Sequence, residues 1–291
     1  MKILVLGSKG QLGQCLNDQL ANTKHDFVCT SRVQIDIADF KLTKAKILEI
    51  SPDIVINATA YTAVDDAEEE HQAADLINHL AVENISSICN QLGCWLIHIS
   101  TDYVFDGNSE VPYKEDNPTN PQGVYGRSKL KGEIAIKASG CKYLIIRTAW
   151  VYSEYGNNFL KTMLRLGVDH DELSVVEDQI GCPTYAQDIA KTIVSISSLL
   201  NLKESSSGIY HYCGGEPCSW YDFAQAIFLE AEVQGLKIPS HVKSIATVDY
   251  PTPAVRPHYS VLDCSSIESC FDVTLSNWRN GIKTAIERSQ C

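Results

Sequence analysis

Apolar positions in the first half of the chain alternate between two periods. Lys2–Leu6 is a short continuous apolar run stopped by Gly7, as in a strand buried on both faces. Residues 11–21 carry Leu12, Leu16 and Leu20 at helical spacing, and residues 27–30 are strand-like again. Residues 42–50 read as a helix that Pro52 closes, and 53–58 (DIVINA) as another buried strand. A long helical pattern follows through Ala74, Ile77, Ala81, Ile85 and Ile88 until Gly93. A strand at 95–99, a helix at 124–138 and a strand at 143–146 complete the series. Strands and helices alternating at this pitch predict βαβ units and a doubly wound parallel sheet, an α/β fold.

After Trp150 the rhythm loosens. Residues 186–200 form one more amphipathic helix, expected to return to the first domain. Residues 205–207 read as a surface linker, and Pro239, Pro251, Pro253 and Pro257 gather irregular chain suited to loops around a binding site. The expected organisation is a first domain at 1–150, rejoined by about 185–201, and a smaller, mainly C-terminal lobe at 151–184 and 202–291.

Charge and cysteine content remove several function classes. A net charge of −12 argues against a nucleic-acid groove, which needs clustered Lys and Arg. Eleven cysteines are scattered without a C-x-x-C pair, so no zinc ribbon, dithiol motif or other metal site is expected. Cys15, Cys29, Cys89 and Cys141 lie in apolar surroundings, where a thiol acts as a small hydrophobe. Reduced thiols point to a cytoplasmic protein. The apolar opening is too short for a signal peptide or a membrane span, and no later stretch is long enough without charges.

The first βα junction carries the first chemical signal. Gly7-Ser8-Lys9-Gly10-Gln11-Leu12-Gly13 follows a strand and opens a helix. The spacing is G-x-x-G-x-x-G rather than G-x-G-x-x-G, but the physics is shared. Small residues let backbone N–H groups reach a pyrophosphate, and a helix N-terminus favours negative charge. Gly7, Gly10, Gln11, Leu12 and Gly13 are therefore candidate dinucleotide contacts on a Rossmann-type sheet, against the alternative of a tight turn without a ligand. The second strand ends in Thr30-Ser31-Arg32, where an acidic residue would hold the ribose of NAD. Arg32 would pair with a 2′-phosphate, which favours NADPH with NADH as the alternative; a solvated surface arginine looks the same in sequence. Asp36 and Ile37 are placed to flank the adenine, and the small Ala58, Thr59 and Ala60 let the cofactor pass the end of the third strand.

Tyr125 and Lys129 form Y-x-x-x-K, one helical turn apart on one face. An ammonium beside a phenol lowers the phenol's pKa, and Tyr125 would give a proton to a carbonyl oxygen as hydride reaches carbon. Lys129 would also reach the nicotinamide ribose. The spacing alone is common. Its weight comes from following Ser100-Thr101-Asp102, at the C-terminal edge of the sheet where open α/β folds bind ligands. Thr101 offers a hydroxyl to the carbonyl or to Tyr125, although a strand-end hydroxyl bonding local backbone is the plainer reading of Thr101 alone. His98 and His211 read as satisfied core histidines, and Glu68-Glu69-Glu70 as a solvated helix face.

The segments GSKGQLG (7–13), NATAYTAVDDAE (57–68), HISTDYVFDG (98–107) and YGRSKLKGE (125–133) resemble those of the dTDP-4-dehydrorhamnose reductases, extended short-chain dehydrogenases. IRTAWVY (146–152), GNNFLKTMLRL (156–166), DQIGCPTYAQDIA (178–190) and RPHYSVLDCS (256–265) extend the resemblance over nearly the whole chain. The resemblance implies NAD(P)H-dependent reduction of the C4 keto group of dTDP-4-dehydro-β-L-rhamnose to dTDP-β-L-rhamnose, feeding cell-surface polysaccharide. Thr101, Tyr125 and Lys129 match the family's catalytic residues. Thr101, Asp102, Tyr125 and Trp150 match contacts to the sugar nucleotide, with Asn158, Arg256 and the 181–184 turn as further contacts. Arg256 would neutralise the diphosphate or form a surface ion pair, and Trp150 has an alternative as a strand-end core aromatic.

Two departures stand out. Some dimeric members place a Mg²⁺-binding glutamate where this chain has Cys15, a poor ligand for a hard cation, which puts Mg²⁺ in doubt while leaving room for a homodimer. Residues 214–219 (GGEPCS) replace a threonine-rich turn, with Ser219 still able to cap a helix. Two rivals remain: another nucleotide-sugar reductase or epimerase, and a non-catalytic regulatory subunit of the methionine adenosyltransferase type. The intact Thr101, Tyr125 and Lys129 favour catalysis over the second.

Overall fold

A computed structural model describes residues 1–200 and 206–289. Residue 205 of the expected linker and residue 201 of the span expected to rejoin the first domain lie outside the described residues, as does Cys291.

Six parallel strands form the central sheet. They are β1 (Lys2–Leu6), β2 (Asp26–Thr30), β3 (Ile54–Asn57), β4 (Trp95–Thr101), β5 (Lys142–Thr148) and a sixth strand, Gly208–His211. From one edge the order is sixth, β5, β4, β3, β1, β2. The chain thus winds outward from β1 in one direction and from β3 in the other. The topological switch lies between β1 and β3, the crevice where doubly wound sheets bind ligands.

Side chains alternate between the two faces of these strands. Ile3 and Val5 of β1, Ile54 and Ile56 of β3 and Ile97 of β4 pack with Leu12, Leu16 and Leu20 of the first helix (Gln11–Leu20). Ile189, Ile193 and Ile196 of the returning helix (Ala186–Leu199) join the same core. Leu4, Val55 and Leu96 face the other way, against Ile47, Val82, Ile85 and Ile136 of the helices on that side. A third core gathers Tyr152, Leu160, Phe223, Ile227, Trp278 and Ile282 beyond the sheet's C-terminal edge. The stretches expected to make up the lobe divide between cores. Residues 208–213 and 261–271 contribute Tyr210, Tyr212, Cys213, Val261, Leu262, Ile267 and Phe271 to the sheet's own core. The reason is the sixth strand: pairing Gly208–His211 with β5 carries its neighbours back onto the sheet.

The long helical pattern ending at Gly93 is interrupted. An α segment, His71–Asp75, passes into a π segment, Leu76–Leu80, before α-helix resumes at Ala81–Leu92. Asn78, in the π segment, is buried and bonds the backbone of Tyr61 through both ends of its amide (2.9 and 3.0 Å) and the Ser128 hydroxyl (3.0 Å). A π turn re-aims a side chain without changing which face is apolar, so hydrophobic spacing carries no trace of it. Among the described residues no helix is long and apolar enough to cross a membrane.

Candidate active site

The glycine loop is built for close approach. Gly7 has φ +88°, and a Cβ there would fall 2.8 Å from Thr59 Cγ2 and 3.0 Å from the Ala58 carbonyl oxygen. A Cβ on Gly13 would collide with the Gly7 carbonyl, so this glycine lets the helix sit tight against its own strand. Gly10, in extended conformation, is the N-cap of the helix and uses no side chain to do it, leaving the first N–H groups of that helix turned to the crevice. Cys15, on the same helix, is fully buried. Gln11 points to the far lobe instead. Its Oε1 accepts from Ser153 Oγ (3.0 Å) and from Asn158 Nδ2 (2.9 Å).

At the other side of the switch point, β4 delivers Thr101 and Asp102, and the helix Val124–Ser139 delivers Tyr125 and Lys129. That helix is capped from outside: Glu68 Oε1 accepts from the Val124 N–H at 2.7 Å. Glu68 was expected on a solvated face; it is half-buried and places its charge at a helix N-terminus, where a carboxylate is favoured. Thr101 Oγ donates to Asp102 Oδ1 (2.8 Å), accepts from the Tyr103 N–H (3.2 Å) and lies beside the Tyr125 hydroxyl. Thr101 therefore bonds its local backbone and stands next to the phenol.

Burial decides the charge states here. It pushes the Tyr125 phenol well above the ordinary tyrosine range, an effect that the Asp102 charge adds to and Thr101 opposes. The expected lowering by Lys129 is absent, because Nζ is turned elsewhere. Lys129 Nζ donates to the Ile99 carbonyl (2.6 Å) and meets His98 Nε2 at 3.1 Å. Burial brings Lys129 down to about 8. Asp102 is raised to about 6 by burial, with hydroxyls of Thr101 and Ser260 pulling the other way. A protonated phenol suits a proton donor, so the arrangement still serves reduction.

Three connected cavities follow the sheet edge. A cavity of about 300 Å³ lies between the glycine loop and Arg32, Asp36 and Ile37, and is bounded by Ala58, Thr59 and Ala60. The middle cavity, about 630 Å³, shares Gly10 and Ala58–Ala60 with the first and adds Gln11, Leu12, Thr101, Asp102, Tyr125, Lys129, Trp150 and Arg256. An outer one of about 530 Å³ shares Tyr103, Trp220 and Arg256 with the middle. The lengthwise arrangement fits a dinucleotide at one end and a second extended ligand at the other.

Most residues singled out from the sequence line this trough. Arg32 is 82% exposed and loosely tied to Asp36 (3.2 Å). Arg256 lines the trough and pairs with Asp65 (2.5 Å), the ion pair that was one of its two expected readings; it also donates to the Tyr103 hydroxyl (3.0 Å). Trp150 stands at φ +48°, an uncommon backbone for a bulky residue, and stacks on Trp220 with ring centres 3.5 Å apart. Gly181 of the 181–184 turn lies under it: a Cβ there would strike the indole. Gly13 and the 181–184 turn lie outside the trough's lining, and so does Asn158. It caps the helix Phe159–Asp169 by accepting from the Lys161 N–H, and its amide N–H groups go to Gln11, Ser153 and Tyr155. With both ends of its amide used, it ties lobe to glycine loop rather than facing the trough. Thr148 and Trp220 were not singled out. Thr148 is paired in register with Thr101, and its buried hydroxyl has no partner although it lines the middle cavity. Only the strand register reveals it.

Comparison with known proteins gives one answer. The family model described as RmlD substrate binding domain matches residues 1–291. The dTDP-4-dehydrorhamnose reductase of Sinorhizobium fredii is 40% identical over 289 residues, covering 98% of this chain and 97% of that protein. A dTDP-4-dehydrorhamnose reductase structure from Clostridium acetobutylicum superimposes with a TM-score of 0.91 at 39% identity, over 100% of both chains. One from Bacillus anthracis, in complex with NADP, gives 0.89 at 35% identity over 99% of each. Glycine loop, Y-x-x-x-K helix and aromatic lobe thus occur in one chain because it belongs to the dTDP-4-dehydrorhamnose reductase family.

Proposed function

We propose that the protein reduces the C4 keto group of dTDP-4-dehydro-β-L-rhamnose to give dTDP-β-L-rhamnose, with NADPH preferred. The observation that carries this reading is the shared cavity: Thr101, Tyr125 and Lys129 line the same space as the glycine loop. The loop fits a pyrophosphate because Gly7 and Gly13 have no room for a Cβ and the helix N-terminus is left open. When bound, the nicotinamide supplies the hydride. Tyr125, held protonated by burial, gives its proton to the carbonyl oxygen, and Thr101 orients that hydroxyl. Trp150 and Trp220 offer stacked faces to the sugar nucleotide, and Arg256 offers a cation beyond them. Asp102, whose Oδ2 lacks a close partner, is free to accept from a sugar hydroxyl.

Arg32 supports NADPH. Exposed and only loosely paired, it is free to meet a 2′-phosphate without breaking a buried bond. The NADP bound to the Bacillus anthracis relative agrees with this. The free thiols of the described residues support a reducing, cytoplasmic setting. Oxidation of NADPH by the purified protein, followed by absorbance with enzymatically made dTDP-4-dehydro-L-rhamnose, tests the proposal. Turnover faster with NADPH than NADH, and equalised in Arg32→Ala, is expected. Folded protein that binds NADPH but oxidises none of it would defeat the reductase reading.

A further inference from the structure

The group behind Lys129 is a histidine with no freedom in where it carries its proton. His98 is fully buried on β4, with Nδ1 3.2 Å from Asn57 Nδ2 and Nε2 3.1 Å from Lys129 Nζ. Asn57 cannot turn its amide round. Its Oδ1 accepts from the Thr59 N–H (3.1 Å) and the Thr59 hydroxyl (2.5 Å), and a backbone N–H can only donate. Asn57 therefore gives an N–H to His98 Nδ1. A neutral imidazole has one N–H, so with Nδ1 accepting, the proton sits on Nε2 and faces Lys129. Burial holds His98 neutral, far below its ordinary range, and any charge on Lys129 acts in the same direction.

An N–H aimed at Nζ favours one charge state. A neutral amine accepts it with its lone pair, donates to the Ile99 carbonyl and keeps one N–H for the cavity. An ammonium has no lone pair, and two donors would then face each other in a buried site. Other charges nearby do not reverse this. Glu133, one turn along the helix, favours the cation, but its carboxylate is occupied by Arg147 (2.7 and 2.9 Å) and by Ser100 Oγ (2.5 Å). Tyr125 and Asp102 line the cavity, which His98 does not.

We propose that Asn57 and His98 form a tautomer-locked pair that positions Lys129 and stabilises its neutral amine relative to the ammonium. Lys129 is then a group that titrates within reach of neutral pH rather than a permanent cation. Neither the tautomer nor this charge equilibrium rests on the reductase reading.

The ligand-free protein, labelled with ¹⁵N in histidine and ¹³C in lysine side chains, tests the proposal by NMR across the neutral range. His98 is expected as the Nε2–H tautomer, assigned by its loss in His98→Gln. The Lys129 signal, assigned by Lys129→Met, is expected to titrate near 8. In His98→Gln a carbonyl oxygen is available to the ammonium, and the midpoint should rise by about one pH unit or more. An Nδ1–H tautomer, or an unmoved midpoint in a folded His98→Gln protein, overturns the proposal. If that variant does not fold, the wild-type tautomer decides alone. No turnover is needed, so failure here is separable from failure of the reductase reading.

Discussion

Asp102 carries a stability cost that can be measured. Its carboxyl is 4% exposed and rises from 3.8 to about 6, so the folded protein holds this proton more tightly than the unfolded chain does. A raised pKa contributes stability at pH below about 4, and the contribution is lost as pH rises through 6. Two units correspond to about 2–3 kcal/mol. Asp102→Asn should therefore be more stable than the parent by up to about 2 kcal/mol at pH 7 and equal to it near pH 4, as read from denaturant midpoints. Tyr125→Phe keeps the ring and its edge-on contact with Tyr103 but removes the proton. It should bind NADPH normally and lose about a hundredfold or more in turnover. The candidate residues could be read from sequence because each sits in a short local motif. What escaped was the state of the groups: Lys129 does not lower Tyr125 because a buried histidine and a carbonyl hold its Nζ, and those partners lie on another element.

Among elements, the helix Val124–Ser139 shows how far sequence reading reaches. Its extent and its Tyr-Lys face were legible from spacing. Its cap was not, since Glu68 lies 56 residues earlier and its partner depends on tertiary placement. Glu68→Ala leaves the Val124 N–H without that partner and should cost about 1–2 kcal/mol in thermal or denaturant unfolding, with a fall in turnover as Tyr125 loosens. Asn78 in the π segment was invisible for the same reason. It bonds Ser128, one residue before Lys129, and so the irregular turn braces the helix from its other flank. Thr148 becomes visible only when β5 is laid in register on β4.

For the whole molecule, the sheet and its cores were predictable from alternation, whereas the connection between lobe and glycine loop was not. Asn158 was assigned to the substrate; its amide instead closes on Gln11 at the first turn of the dinucleotide helix. Asn158→Ala should weaken NADPH binding severalfold through loss of that bridge, about 1 kcal/mol, and lower stability by a similar amount. Titration calorimetry with NADPH alone would measure it, and unchanged affinity would return Asn158 to a purely local capping role. The stacked indoles have a different use. Trp150 and Trp220 lie 9° from parallel on the wall of the trough, whereas Trp95 and Trp278 are buried in the cores. Two chromophores this close couple their electronic transitions, so the pair should give a split band in near-ultraviolet circular dichroism that changes when a nucleotide sugar enters. The protein would then carry its own label, and occupancy of the cleft could be followed without a reporter dye.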